Sequence, residues 1–298
     1  MVGIAVINYK TYNKTIECIN SIRETTKTPY KVFLLDNASP NESAEILKNE
    51  YANSNDVELI LSNTNEGYAK GNNICIDKMV ECGCDYGVIS NNDIICKQKT
   101  IDTLIGDLRN NEGFIAVGPK IQLPNGEYQK SVIVKKYGKL EYLRKSTYLY
   151  NFHKGKVENE KREIKKINSF SKVSWISGAF FAFDVKKMMQ IEKFDPETFL
   201  FFEEYILSKK ASDKGYLIGY DPNVEVIHDH AFTTGGGLNI DVKISADKSE
   251  MHYMKNYSDN GKLYIAILKF IRKMEVFFTF RKKRDYESIR KYKKEMNK

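Results

Sequence analysis

Over its first ninety residues the chain alternates short apolar runs with longer amphipathic stretches. Val2-Gly3-Ile4-Ala5-Val6-Ile7 is a β-branched apolar run that predicts a strand ending near Asn8. Thr15, Ile16, Cys18, Ile19 and Ile22 then recur at helical spacing, with Pro29 beyond the end of the helix they predict. Lys31-Val32-Phe33-Leu34-Leu35 reads as the second strand, closed by Asp36-Asn37-Ala38-Ser39-Pro40, and a helix follows from about residue 42 to 50. Val57-Glu58-Leu59-Ile60-Leu61 predicts the third strand. Gly67 to Gly71 reads as a glycine-punctuated turn before a helix through Ile74, Met79 and Val80. Tyr86-Gly87-Val88-Ile89-Ser90 predicts the fourth strand, ending at Asn91-Asn92-Asp93.

Strands alternating with helices predict an α/β fold with a mostly parallel sheet. Such sheets bind ligands beyond the carboxyl ends of their strands. That rule selects the loops Asn8–Lys10, Asp36–Ser39, Asn65–Gly71 and Asn91–Asp93, where the polar and acidic residues of this half gather. Neither the G-x-G-x-x-G dinucleotide fingerprint nor the P-loop occurs.

The second half is less regular. Residues 127–172 are rich in lysine and tyrosine and read as an irregular insert, a candidate flap. Val173 to Phe183 predicts a strand with a Ser177-Gly178 break, and Phe199-Leu200-Phe201-Phe202 an aromatic strand running into Glu203-Glu204. A helix from Tyr205 to Lys214 stops at Gly215. Two short strands follow, Leu217–Tyr220 and Val224–Ile227, the latter ending at His228-Asp229-His230. The expected division is a catalytic domain over 1–235 and a helical tail over 236–298.

With 42% hydrophobic and 29% charged residues, the chain has ordinary globular composition. Its net charge of +8 is unevenly placed: residues 261–298 hold 13 lysines and arginines against four acids, leaving the body close to neutral. A basic tail on a neutral body suggests an anionic partner for the tail and argues against a nucleic-acid-binding protein. Within the tail, Leu263, Ile267, Phe270, Ile271, Met274, Phe277 and Phe278 recur at helical spacing among basic residues. The pattern suits an interfacial helix on an anionic leaflet, and equally a helix packed on the domain or on a homodimer partner. Five cysteines, with no basic leader or cleavage site, read as reduced cytosolic thiols. No apolar run is long enough to span a membrane.

The candidate chemistry is carried by carboxylates at strand ends. Asp93 follows a buried strand, where an oxygen ligand can serve Mg²⁺ or Mn²⁺ together with a substrate diphosphate; taken alone, an Asp in this place is more often a turn former or helix cap. Asp36 can accept hydrogen bonds from a base or ribose, or close an Asx turn. Glu203 and Glu204 sit beside Phe201 and Phe202, surroundings that raise a carboxyl pKa and suit a general base; they also suit a helix N-terminus. His228 and His230 are two residues apart on an extended chain, so they face opposite sides and do not share a metal, though either one can complete a site with Asp93.

Several motifs in series carry a resemblance. Val6-Ile7-Asn8-Tyr9, Leu35-Asp36-Asn37-Ala38-Ser39 and Asn65-Glu66-Gly67-Tyr68-Ala69-Lys70-Gly71-Asn72-Asn73 come first. Ser90-Asn91-Asn92-Asp93, Trp175-Ile176-Ser177-Gly178-Ala179-Phe180, Phe194-Asp195, Phe202-Glu203-Glu204 and Val226-Ile227-His228 follow in order. Over roughly residues 3–232 the sequence resembles the inverting glycosyltransferases of family 2, in particular their rhamnosyltransferase-like branch in bacterial cell-surface polysaccharide synthesis.

The resemblance implies a GT-A fold, and a sugar passed from a UDP- or dTDP-linked donor to a hydroxyl of a lipid-linked saccharide in the family's capsule, O-antigen or cell-wall pathways. Asn8, Asp36, Asn65, Gly67, Gly71, Asn72, Asn92 and Asp93 are then expected around the donor nucleotide. Asp93 is expected to bind the metal, with His228 as a further ligand; Asn91 stands where the family's D-x-D-like motif has its first acid. Trp175, Gly178 and Ala179 are expected to shape the sugar pocket, and Glu204, beside Glu203, to be the base. The implied location is cytoplasmic, at the inner face of the cell membrane. A sugar nucleotidyltransferase is the rival with the same fold, but its Gly-rich, Arg-containing opening loop is absent after Val6. A non-catalytic sugar-nucleotide-binding protein is the other rival, and it has no use for Asp93 and Glu204 together.

Overall fold

The computed structural model describes residues 1–129, 131–134, 139, 142, 164, 166–229 and 239–297. Its first half follows the predicted alternation: β1 (Val2–Asn8), α1 (Tyr12–Thr25), β2 (Tyr30–Asp36), α2 (Ser43–Glu50), β3 (Val57–Leu61), α3 (Gly67–Glu81) and β4 (Tyr86–Asn91). The chain continues through β5 (Ile94–Cys96), α4 (Thr100–Asn110), β6 (Phe114–Gln122), β7 (Val132–Ile133), β8 (Ser171–Val173), β9 (Trp175–Ile176) and β10 (Phe180–Asp184). Then come α5 (Val185–Gln190), α6 (Glu203–Asp213), β11 (Leu217–His228) and three C-terminal helices, α7 (Ile240–Asn256), α8 (Lys262–Lys282) and α9 (Tyr286–Glu295).

The main sheet runs β3-β2-β1-β4-β10-β6-β11-β5, with β8 also pairing β11. β1 is parallel to both β2 and β4, and β6 is parallel to β11, whereas β10 runs antiparallel between β4 and β6. The strands alternate because helices cover both faces. Val2, Ile4, Val6, Val32 and Leu34 belong to the core shared with Ile19, Ile22 and Leu104 of α1 and α4. Ala5, Phe33, Leu35, Phe181 and Phe183 point the other way, into the core shared with Ile76 and Met79 of α3 and Met188 of α5. Apolar side chains on both faces therefore give the near-continuous apolar runs of a sheet buried on both sides.

Several sequence expectations change. The glycine-punctuated turn is the start of α3, and Gly71 lies inside that helix, where an added Cβ would fall 2.9 Å from Ile7 Cδ1. The stretch from Val173 to Phe183 is not one strand: β8 pairs β11, β9 pairs β7, and β10 enters the main sheet. The two short strands before His228 are one strand, β11, interrupted by an irregularity between Asp221 and Glu225. Phe199 to Phe202 is a bend and not a strand, and Glu203 and Glu204 open α6 directly. Most of the 127–172 insert lies outside the described residues, as does His230.

All five cysteines are free, and burial pushes the Cys18 and Cys75 thiols up to about 12, which leaves them inert. Among the described residues no helix is long and apolar enough to cross a membrane.

Candidate active site

The topology brings the functional side chains to one edge of the sheet. β1, β2 and β4 are parallel and in register, so Asn8 lies level with Asp36, and Ile7 with Asn91. β1 connects to β2 on one side and pairs β4 on the other, which makes the gap above them a topological switch point. β10 is antiparallel and therefore begins at this same edge: Phe180 pairs Ser90, and Asn91 N–H donates to the Ala179 carbonyl at 2.8 Å. β11, parallel to β6, delivers His228 here, paired with Ile94 of β5.

On the left of this edge a buried polar network fixes the strand ends. Asn8 Nδ2 donates to Asp36 Oδ2 at 2.7 Å and to Ser39 Oγ at 3.2 Å, and Ser39 N–H and Oγ both return to the Asp36 carboxylate. Thr15 Oγ1 donates to Asn8 Oδ1 at 2.8 Å. Asn92 Nδ2 donates to Thr11 Oγ1 and Thr15 Oγ1 at 2.7 and 2.9 Å. Asn8, Asp36 and Asn92 are all buried, so much of their hydrogen-bonding capacity holds the loops in place. Among the described residues Asp36 Oδ1 accepts the Ser39 N–H alone, which leaves it acceptor capacity for a ligand.

The next loop is built by asparagines. Asn37 Oδ1 accepts the Glu66 N–H at 2.8 Å, and Asn65 Oδ1 accepts the Gly67 N–H at 3.0 Å. Gly67 sits at φ +73°, and an added Cβ would lie 2.4 Å from the Phe199 carbonyl oxygen. Gly67 thus lets the start of α3 meet the Phe199–Phe202 bend. Gly71 and Asn72 lie deeper, Asn72 buried and donating to the Tyr68 carbonyl, so both shape the helix and its packing.

Asp93 and His228 meet at the centre. Both are buried, with His228 Nε2 3.0 Å from Asp93 Oδ1. The His228 ring is oriented from behind by Gln129, whose Oε1 is 2.9 Å from Nδ1, and Asp229 N–H donates to the Asp93 carbonyl at 2.9 Å. Gln129 belongs to the stretch read as an irregular insert, and its sequence context gave no sign that it would support the imidazole. Among the described residues no cluster of three or more acidic, histidine or cysteine side chains could hold a metal. The donor set is one carboxylate oxygen and one imidazole nitrogen. It fits a divalent cation that takes its remaining oxygens from a substrate diphosphate.

On the right lie the two glutamates. Gly178 N–H donates to Glu204 Oε1 at 2.9 Å, and Tyr68 O–H donates to the Gly178 carbonyl at 2.6 Å. Burial raises the pKa of Glu204, opposed by the backbone N–H groups that its carboxylate accepts. Glu203 is raised further, by burial and then by the neighbouring charge of Glu204, and its Oε1 has no hydrogen-bond partner among the described residues. Two adjacent carboxyls in a dry setting do not both ionise readily; both accept backbone N–H groups, and the larger rise falls on Glu203, so ionisation favours Glu204. The backbone before them is strained: Phe201 and Phe202 both adopt φ +69°, uncommon for bulky residues and most often found at functional sites.

Trp175 packs against Tyr205 with ring centroids 5.5 Å apart, and Tyr205 stacks on Phe202 at 5.1 Å. This aromatic group stands next to Glu204, and the Trp175 Nε1 has no partner among the described residues. The sequence reading found Trp175 but missed Tyr68 and Tyr205. Tyr68 lay within a motif read for its glycines and asparagines, and Tyr205 was read as an ordinary helix residue.

Comparison with known proteins gives the family and the fold. The sequence profile of Glycosyl transferase family 2 matches residues 3–185. The chain belongs to that family. Across 233 residues it is 24% identical to an N-acetylglucosaminyl-diphospho-decaprenol L-rhamnosyltransferase of Mycobacterium tuberculosis, covering 72% of this chain and 71% of the relative. Among solved structures, GalNAc-T7 with UDP, GalNAc and Mn²⁺ superposes with a TM-score of 0.62 at 13% identity, over 85% of this chain and 47% of that one. The chain thus spans about half the length of GalNAc-T7. S. aureus TarS 1–349 with UDP-GlcNAc gives a TM-score of 0.55 at 12% identity, over 92% of this chain and 70% of that one. The mannosyltransferase PcManGT of Pyrobaculum calidifontis, with GDP-Man and Mn²⁺, gives 0.55 at 15% identity, over 92% and 71%. These likenesses establish the GT-A fold expected from the motifs.

Gly178 is a sharp test of the right-hand side. A Cβ on it would fall 2.6 Å from Glu204 Oε1 and 2.7 Å from the Tyr68 hydroxyl. Gly178→Ala is therefore expected to push Glu204 off its position while the core stays intact. A displacement of this size costs on the order of 10²-fold in kcat/KM. Steady-state kinetics beside circular dichroism would check it; unchanged kinetics would mean that the Glu204–Gly178 contact does not position a catalytic group.

Proposed function

We propose that this family 2 glycosyltransferase moves a sugar, with inversion, from a dTDP- or UDP-linked donor to a hydroxyl of a lipid-linked saccharide in cell-surface polysaccharide synthesis. The observation that carries the reading is the convergence on one sheet edge of the Asp93–His228 pair and the Glu204 carboxylate, joined through Gly178, Ala179 and Asn91.

Glu204 takes the proton from the acceptor hydroxyl as that oxygen bonds to the anomeric carbon and the bond to the nucleoside diphosphate breaks. The proton ends on Glu204 and the electron pair on the departing diphosphate. A raised pKa suits Glu204 to this role, because a stronger base is a better proton acceptor near neutral pH. Asp93 and His228 would hold Mg²⁺ or Mn²⁺, and such an ion, when bound, neutralises charge on the leaving diphosphate. Asp36 and the Asn65–Gly67 loop lie where the nucleoside would rest, with Asn8, Asn92, Gly71 and Asn72 supporting them. Trp175 and Tyr205 offer an apolar face beside Glu204 against which a pyranose ring can lie.

The M. tuberculosis relative acts, by its name, on N-acetylglucosaminyl-diphospho-decaprenol and transfers L-rhamnose. That favours a polyprenyl-diphosphate sugar as acceptor and rhamnose as donor sugar here. A lipid-borne acceptor supports a peripheral position at the inner face of the cell membrane.

A panel of nucleotide sugars, scored by diphosphate release with and without EDTA, tests the reading. One donor, dTDP-rhamnose first, is expected to be turned over and EDTA to abolish turnover. Binding of donors without any turnover would favour the non-catalytic alternative, and pyrophosphate-dependent release of a nucleoside triphosphate would favour a nucleotidyltransferase.

A further inference from the structure

The apolar residues of the basic tail fall on two opposite faces of α8. Leu268, Val276 and Phe280 are buried, the last two packing with Ile244 of α7 and Ile289 and Tyr292 of α9. Arg272 lies on the same inward side, pairing with Glu250 of α7 at 2.6 Å. This face is fully used by the three-helix packing.

The other face is not. Leu263, Ile267, Phe270, Met274 and Phe278 follow one another at i, i+4, i+7, i+11 and i+15, which places them on a single stripe along the helix. Leu263, Phe270 and Phe278 are 76%, 63% and 61% exposed, and Ile267 is also exposed. Lys262, Lys269 and Lys273 run along one shoulder of the stripe, again at i, i+7 and i+11, and Arg281 and Lys282 close its end. The one acid of α8, Glu275, is taken by Lys243 and Arg272 on the inward side.

We infer that this stripe is a membrane-docking face that seats α8 in the plane of an anionic phospholipid leaflet. An apolar stripe with lysines on its shoulder is the arrangement that enters the headgroup boundary while its charges meet lipid phosphates. A second copy of the chain fits less well, because a two-fold contact would press two strongly basic helices together. The inference rests on the lipid-linked acceptor only for its purpose; the stripe and its charges stand without it.

α7, on which the docking helix packs, is in turn tied to the bend before Glu204. Asp195, just before the Phe199–Phe202 bend, accepts hydrogen bonds from His252 of α7 at 2.6 Å and from the Tyr257 hydroxyl at 2.7 Å. Ser249 Oγ donates to the Leu200 carbonyl at 3.1 Å, and the Tyr253 ring packs against Phe202 and Tyr205. A bilayer held by α8 is thereby held in a fixed relation to Glu204.

The test is co-sedimentation of the full chain with phosphatidylcholine vesicles, with and without phosphatidylglycerol. Binding is expected only with phosphatidylglycerol and to weaken with salt. Replacing Lys262, Lys269 and Lys273 by glutamine is expected to weaken it on the order of a hundredfold, since each surface lysine contributes roughly a fivefold factor. The triple change Leu263→Ser, Phe270→Ser, Phe278→Ser is expected to abolish it and, because these side chains are exposed, to leave the fold and donor hydrolysis unchanged. Wild-type protein that ignores anionic vesicles would overturn the inference. So would a serine variant that still binds them, or one whose only effect is to dissociate a dimer in sedimentation velocity. Donor hydrolysis measured alongside separates these outcomes from a failure of the glycosyltransferase reading.

Discussion

Glu204→Gln is expected to lower turnover by roughly 10²–10⁴-fold, the range typical of losing a general base, with fold and donor affinity kept. The substitution is well matched to the site. A glutamine carbonyl can still accept the Gly178 N–H that Glu204 Oε1 now accepts at 2.9 Å, so the loop loses no hydrogen bond. What disappears is the ability to take a proton. Because burial raises the Glu204 pKa, wild-type activity should rise with pH through a range above that of an ordinary carboxylate, as the base ionises. The residual activity of the glutamine variant should lack that limb. Glu203→Gln is the natural comparison: burial and the charge of Glu204 push Glu203 towards its neutral form, which an amide resembles, so the loss should be much smaller. Rates across pH for both variants decide the assignment. Near-normal turnover by Glu204→Gln would remove it as the base, and a reversed order of the two variants would exchange their roles.

The left half of the site was legible because strand-end residues announce themselves. A β-branched run followed by Asn8, and another followed by Asp36, place polar groups at the carboxyl edge once the sheet is parallel. The same logic found Asp93 but could not show that His228, 135 residues later, would come within 3.0 Å of it. That contact depends on β11 crossing to pair with β6 and β5, a long-range event with no local signature. The aromatic run before Glu203 was misread for a related reason. Phe199-Leu200-Phe201-Phe202 has strand composition, but the hydrogen bonds from the Tyr68 N–H and the Ser249 hydroxyl to its carbonyls hold it as a bend, with two phenylalanines in the left-handed region. The tail illustrates the converse. Its helical period was plain, yet period alone could not say which apolar residues face protein. Only the packing of α7 and α9 on Val276 and Phe280 separates them from Leu263, Phe270 and Phe278.

Asp93→Asn is expected to be at least as damaging, for a different reason. The change keeps the size and shape of the side chain, and an amide beside His228 at the 3.0 Å spacing can still be accommodated. It removes the one negative charge that the buried pair offers to a cation. With two candidate donors among the described residues in place of the acidic cluster of a self-sufficient metal site, the site would have little affinity to spare. Removing its carboxylate should therefore weaken Mn²⁺ binding in the presence of nucleoside diphosphate and reduce diphosphate release by roughly 10²-fold or more, the scale of several kcal/mol of charge stabilisation. His228→Ala should do less, because it takes a neutral donor and leaves the charge. Direct titration of Mn²⁺ with and without UDP, beside turnover, tests the assignment through binding as well as rate. If Asp93→Asn bound Mn²⁺ like the wild type while turnover fell, Asp93 would be acting by shaping the turn between β4 and β5 and not as a ligand. If turnover were unchanged and also indifferent to EDTA, the Asn91 that stands in the D-x-D-like motif would mark a transferase that stabilises its leaving group with its own side chains.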